Sequence, residues 1–295
     1  MKKTIIRLFI GVALFATPSM LQAFAARPIV AGHYPAGVEG IKGSSLPPPG
    51  VYFRDYNLFY SADHFDGGPP DFDIFAYVNA PRLIWMTDCK ILGADYGMDI
   101  IVPFGYLDWH AGGKDYSYSG IGDIQLEPLL LSWHFQQFDV AAGYAVWAPT
   151  GDFRVGRPDI LAKGFWSHML TLGGTWYFDA EKTWALSLLN RYEFCHEQED
   201  TSIDPGQVYT LEFALSKAVT KTLDVGVIGY WQQQTTQDSG PFASRAHDRK
   251  VGLGAEISGV CPLTGLLGSL RYAYEMAAVD RPEGHLVAFT LTKRF

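Results

Sequence analysis

The sequence predicts an all-β protein, a transmembrane antiparallel β-barrel of about twelve strands with short periplasmic turns and long extracellular loops. Three observations lead there. The chain opens on an export signal, and from about residue 51 to Phe295 apolar and polar side chains alternate with period two. The connections between the alternating segments are long and short by turns. A strand with one apolar and one polar face carries a period of two. A barrel in the outer membrane adds the inequality of loops, because its two rims face different compartments.

Residues 1–25 carry Lys2, Lys3 and Arg7, then an apolar run from Leu8 to Ala16, then Ala23-Phe24-Ala25. That order is a secretory signal peptide, with cleavage expected after Ala25. A spanning helix needs about 20 uninterrupted apolar residues. Pro18, Ser19 and Gln22 interrupt this run, and no longer one follows. Loss of the three basic residues takes the formal charge of −8 to −11. With no basic cluster left, a nucleic-acid partner is not expected. Cys89, Cys195 and Cys261 lie far apart without metal-ligand spacing, and are read as unpaired.

Residues 26–50 precede the first strand. They are rich in turn formers, among them Pro28, Pro35 and Pro47 to Pro49, yet include His33, Tyr34, Val38 and Ile41. A solvated linker has no need of those four. The segment is read either as a lumenal plug, with these four as its candidate contacts, or as a periplasmic tether.

The barrel is expected over 51–295. Its first strand, VYFRDYNLFYS, alternates poorly, and the second, DIFAYVNAPRLIWMT, contains Pro81, which removes a ladder bond. The third is YGMDIIVPFGY. In the fourth, GDIQLEPLLLSWHF, Asp123, Gln125 and Glu127 share a phase with Leu129, Leu131 and Trp133, so its facing is ambiguous. FDVAAGYAV and FWSHMLTLGGTWYF fit the pattern. The remaining six are clean. TWALSLLNRYEF sets Leu186, Leu188 and Phe194 against Ser187, Arg191 and Glu193, and VYTLEFALSK sets Leu211, Phe213 and Leu215 against Thr210, Glu212 and Ser216. LDVGVIGYWQ, KVGLGAEIS, SLRYAYEM and the terminal GHLVAFTLTKRF follow suit. The last places Phe295 on the lipid face and lets the Lys293 amine reach towards head groups. Long connections are expected at DHFDGGPPD, DWHAGGKDYSYS, DFRVGRPDILAK, HEQEDTSIDPG and TQDSGPFASRAHD; short ones at DCK, QQ, DAEK, TK and GVCPL. Trp85, Phe135, Phe138, Tyr177, Phe178 and Trp184 flank the short turns, as an interfacial girdle does.

The phase that puts leucines on the lipid puts Asp95, Asp99, Arg191, Glu193, Glu212, Asp224, Tyr230, Lys250, Glu256, Arg271 and Glu275 in the lumen. Such a set either lines a solute path or fills a narrow barrel with hydrogen-bonded ion pairs. No catalytic group is assigned. His134 and His168 lie close in sequence to Ser132 and Ser167, but no third partner is marked, and Ser167 and His168 face opposite ways. His33, His64 and His110 lack metal-ligand spacing, so neither metal nor cofactor is expected.

GHYPAGVEGIKG, LPPPGVYFRDYNLFY, GIGDIQLEPLLLSWH, AVWAPTGDF, GYWQQQTTQDSG, RKVGLGAEI and YEMAAVDRPEGHLVAFTLTKRF occur in that order. Together they resemble the outer-membrane proteins of the meta-pathway of phenol degradation, over roughly Gly32 to Phe295. The resemblance implies a barrel for uptake of phenol-like or other hydrophobic compounds, and supplies no catalytic residues. The expected function is passage of a small hydrophobic solute, with outer-membrane lipid as the other partner. The alternatives are a general-diffusion or structural barrel and, third, a barrel hydrolase. The oligomeric state is not legible.

Overall fold

The computed structural model describes residues 32–69, 71–157, 161–241, 243–244 and 246–295. The expected signal peptide, and residues 26–31 of the segment after it, lie outside them.

Fourteen strands form, and among the described residues there is no helix. They are β1 (Gly50–Phe65), β2 (Asp73–Ile91), β3 (Ala94–Ile101), β4 (Phe104–Ala111), β5 (Lys114–Ile121), β6 (Ile124–His134) and β7 (Phe138–Ala148). Then follow β8 (Ser167–Tyr177), β9 (Trp184–Cys195), β10 (Val208–Thr220), β11 (Leu223–Gln234), β12 (Arg249–Val260), β13 (Leu267–Val279) and β14 (Pro282–Arg294). Twelve of them close a ring. β1 pairs with β14 on one side and β2 on the other, so Tyr56 lies between Thr290 and Ala80. Closure leaves no sheet edge in hydrocarbon, which the bilayer would not tolerate. The alternation sorts as expected: in β14, Ala288 is 0% exposed, Phe289 40% and Thr290 6%.

The two extra strands correct the sequence reading. DWHAGGKDYSYS was expected as an outer loop; most of it forms a hairpin, β4 and β5, around Gly112-Gly113. The third predicted strand breaks at Val102-Pro103. Below the break β3 pairs with β2 from Arg82 to Ile91; above it β4 pairs with β2 from Asp73 to Asn79. Pro81 sits at this change of partner, where its missing N–H matters least, and its carbonyl accepts from Val102 N. β6 then resumes the ring against β3.

Three smaller differences have local causes. β2 runs through DCK, and the turn falls on Leu92-Gly93, both at positive φ. The mixed phase of β6 comes from a bulge: Glu127 and Pro128 lie between Leu126, opposite Val146, and Leu129, opposite Tyr144. One extra residue flips the facing, so Gln125 and Glu127 point inward and so do Leu130 and Ser132. β1 alternates poorly because Asp55 and Asn57 lie among its outward positions. They are satisfied laterally, since Asn79 Nδ2 donates to Asp55 at 2.8 Å and Tyr77 OH to Asn57 at 2.8 Å. One connection on the long-loop rim is short. Only Asp280 and Arg281 join β13 to β14, and this tight turn holds Arg281 at the barrel mouth.

Candidate functional site: the lumen and the segment within it

Residues 32–49 run through the inside of the barrel. With prolines and glycines throughout, this stretch does not join the sheet, and its N–H groups still require acceptors away from water. The wall supplies them as carboxylates. Glu193 on β9 accepts from His33 N (2.8 Å), Glu212 on β10 from Gly37 N (2.8 Å) and Glu39 N (3.1 Å), and Glu256 on β12 from Ile41 N (2.8 Å). Side chains add to the attachment. Tyr34 OH donates to Glu212 at 2.6 Å, and the Arg191 guanidinium lies 4.1 Å from the Tyr34 ring centroid. Lys42 Nζ reaches Asp224 at 3.0 Å. Two glycines allow the close approach. A Cβ at Gly37, where φ is +89°, would lie 2.7 Å from both Tyr230 and Leu286, and one at Gly40 would overlap the Glu256 carboxylate.

The sequence-predicted lumen residues thus fall into groups. Arg191, Glu193, Glu212, Asp224 and Glu256 hold the segment. Arg271 pairs with Glu256 at 3.3 Å, while Glu275 accepts from Tyr230 OH (3.0 Å) and Tyr60 OH (2.6 Å) and pairs with Lys250. Asp95 contacts Lys90 and stands apart from the segment. Asp99 belongs to a cluster that sequence reasoning missed, centred on Arg82. Arg82 Nη2 contacts Asp99 at 2.5 Å and Glu127 at 2.9 Å, and Nη1 faces Glu39 at 3.6 Å. Arg82 was hidden because it follows Pro81 in a strand of doubtful phase. Of the four segment candidates, Tyr34 and Val38 are buried, the His33 side chain is 3% exposed, and Ile41 is half-buried and contributes its backbone N–H.

His33 fastens the upper end. Its Nδ1 lies 2.9 Å from Glu193 and its Nε2 3.2 Å from Asp123, and its ring stacks on Trp147 at 5.2 Å. Asp123, between β5 and β6, also accepts from Gly151 N and Lys163 N, tying the 149–166 loop to the same point. Burial opposes charge on His33, but the hydrogen bonds to Asp123 and Glu193 outweigh it and hold the imidazole above its ordinary value. Burial likewise opposes charge on Asp123, and the bonds from His33, Lys163 N and Gly151 N hold its carboxyl below the usual range. The raised histidine contributes fully below its free value of 6.5 and less as pH climbs through the higher bound value. The lowered aspartate contributes above its free value of 3.8, and that contribution is lost as pH falls through the bound value. The latch is therefore tight between the free values of the two groups and loosens as pH climbs through the raised histidine value. Bilayer conductance is expected to rise as pH is taken upward past the free histidine value of 6.5, and a His33→Gln protein is expected to lose that step. A wild-type trace flat with pH would remove His33 as the latch.

Two serine–histidine contacts lie among the described residues. Ser167 Oγ lies 2.9 Å from His33 Nδ1, but His33 faces a carboxylate at each nitrogen, which favours the imidazolium over the free base. Ser132 Oγ, His134 and Asp139 form a relay of two 3.0 Å bonds. However, Ser132 is 1% exposed, and its backbone is paired to Asp95 on one side and Ala141 on the other. Acyl chemistry needs an accessible oxygen and free N–H donors for the oxyanion, and this relay supplies neither. Among the described residues no group of His, Cys, Asp or Glu is arranged to hold a metal.

Above the segment lies a cavity of about 280 Å³. Val38 of the segment, Leu58, Val78, Leu107, Trp147 and Met169 form its apolar lining. Leu161 and Lys163 from the 149–166 loop and Arg281 from the β13–β14 turn border it on the long-loop side.

An outer-membrane β-barrel with its own N-terminal segment in the lumen is the class these features define. The chain belongs to the family described as putative MetA-pathway of phenol degradation, whose profile matches residues 56–291, in agreement with the resemblance carried by its motifs. No curated protein matches it. Among solved structures, it is similar to an outer membrane channel from Pseudomonas putida F1, with a TM-score of 0.75 and 14% identity, covering 89% of this chain and 99% of that one. The β domain of the Bordetella autotransporter BrkA follows at TM-score 0.54 and 13% identity, covering 84% and 100%. The translocator domain of NalP from Neisseria meningitidis has TM-score 0.52 and 10% identity, covering 86% and 92%. At these identities the likeness is one of fold.

Proposed function

We propose that the protein is a gated outer-membrane conduit for the uptake of small hydrophobic solutes, phenol-like aromatics above all, with residues 32–49 as the gate. The observation that carries this reading is an unfilled, mostly apolar cavity of about 280 Å³ inside the lumen, beside the buried ion pairs. A barrel interior that only needs filling is packed with side chains and leaves no chamber. An apolar chamber has a use when an apolar molecule stops there. A cavity of about 150 Å³ lined by aliphatic and aromatic groups holds benzene, so this one has room for a ring with substituents. Below the chamber the lumen is crossed by the Glu39, Arg82 and Arg191 groups, so a solute continues only when the segment moves. Passage runs down a gradient and needs no cofactor. The aromatic character of the solute rests on the family; the apolar character rests on the cavity. The packed ionic lumen speaks against general diffusion of polar solutes.

A strain lacking the protein is expected to grow slowly on low concentrations of an aromatic carbon source, to grow normally on a sugar, and to recover with the gene restored. Equal growth of the deleted and parent strains across a panel of aromatic and aliphatic hydrophobic substrates would overturn the proposal.

A further inference from the structure

The charged groups around the cavity are unbalanced. Glu39 is the one carboxylate among the described lining residues, against Arg82, Lys163, Arg191 and Arg281. Arg82 and Arg191 are committed to Asp99, Glu127 and Glu212. Lys163 and Arg281 are not committed in this way. No carboxylate among the described residues comes within ion-pair distance of Lys163 Nζ. Asp123 accepts the Lys163 backbone N–H instead and is occupied by His33 and Gly151. Arg281 has one long contact, 3.6 Å to Asp248, and its buried Nε has no partner. Both cations line the same cavity, where their like charges oppose one another. Burial, reinforced by Arg281 and opposed by Asp123 and Glu193, brings the Lys163 ammonium down to about 8.

Two cations on the long-loop side of an apolar chamber, Lys163 without an ion pair among the described residues and Arg281 with Asp248 alone at 3.6 Å, point to a ligand with a greasy body and a negative head. We infer that the cavity binds hydrophobic anions, an aromatic carboxylate in the first place, with the ring against Trp147, Leu58 and Met169 and the carboxylate between Lys163 and Arg281. The inference rests on the proposed function in taking the chamber as a solute site, and adds the charge of the solute. Both lysine and arginine form short, charge-assisted hydrogen bonds to a carboxylate, and in a partly dry site these are stronger than the bonds a neutral amide makes. An anion between the two cations also relieves their repulsion. The same cations disfavour an ammonium ligand.

The test is calorimetric titration of the full chain in detergent with benzoate, with benzamide as its neutral isostere and with benzylamine as a cation. Benzoate is expected to bind at least about tenfold more tightly than benzamide, and benzylamine weakest. Lys163→Met is expected to remove most of the benzoate advantage and leave benzamide binding unchanged, and Arg281→Gln to reduce it. Retention of the heat-resistant electrophoretic form verifies that each variant is folded. Equal binding of benzoate and benzamide overturns the anion assignment and leaves the uptake proposal standing, as does a benzoate advantage that survives both substitutions. Absence of binding by all three compounds also overturns it. Whether the protein is a conduit is decided separately, by growth of the deletion strain.

Discussion

Replacing Arg82 by methionine is expected to destabilise the barrel by about 3–5 kcal/mol, the range for a buried ion pair that loses one partner. Arg82 is 7% exposed and is the meeting point of Asp99, Glu127 and Glu39, with Tyr56 OH 3.2 Å from its Nη1. Methionine fills much of the volume but leaves three carboxylates facing one another with Arg54 and Arg191 at the margins. Urea unfolding into lipid vesicles measures the effect. Replacing Glu127 by glutamine in the same protein is expected to restore part of the loss, because it removes one of the stranded charges. A difference under about 1 kcal/mol between Arg82→Met and wild type, the value of an exposed pair, would mean that the cluster is hydrated and does not organise the lumen.

The second large effect lies on the opposite face of the wall. Leu188 stands at the middle of β9, between Gly174 of β8 and Phe213 of β10, and is 42% exposed. In a bilayer its neighbour is lipid. Leu188→Arg is expected to lose about 2–4 kcal/mol, the figure for a basic residue near the midplane of an outer-membrane barrel. Ser187, one position away, is buried on the lumen side. If Leu188→Arg unfolds at the wild-type urea concentration, β9 does not face lipid with this phase.

How much of this was legible depended on whether a strand kept one period from end to end. From Trp184 to Arg294 it did but for irregularities at Val219 and Met276 near strand ends, and the facing of Glu193, Glu212, Glu256 and Arg271 followed from counting by twos. Earlier, the period is interrupted by physical features that a count cannot anticipate. A bulge at Glu127-Pro128 reverses the phase of β6 midway, and Pro81 and Pro103 mark a change of strand partner. The β4–β5 hairpin pairs with the upper part of β2 alone, and both of its faces hold polar residues, so its sequence reads as loop. Within the site, the composition of residues 26–50 drew attention to His33 and Tyr34 but left their partners open. His33 and Glu193 are 160 positions apart. Asp123 shared the mixed phase of the fourth predicted strand and Lys163 lay in an expected loop; each lies outside a strand and acquires its role from the chain that folds against it.

Planar-bilayer conductance of the full chain, set against a chain lacking residues 26–44, tests most directly whether the N-terminal segment closes the lumen. The shortened protein keeps all twelve ring strands and the Pro47–Pro49 lead into β1, and its folding is verified by the heat-resistant electrophoretic form. It is expected to conduct ions substantially better than the full chain, because the wall carboxylates then face water where they now face His33, Gly37, Glu39 and Ile41. The same conductance from both proteins, with the shortened one properly folded, would contradict the gate.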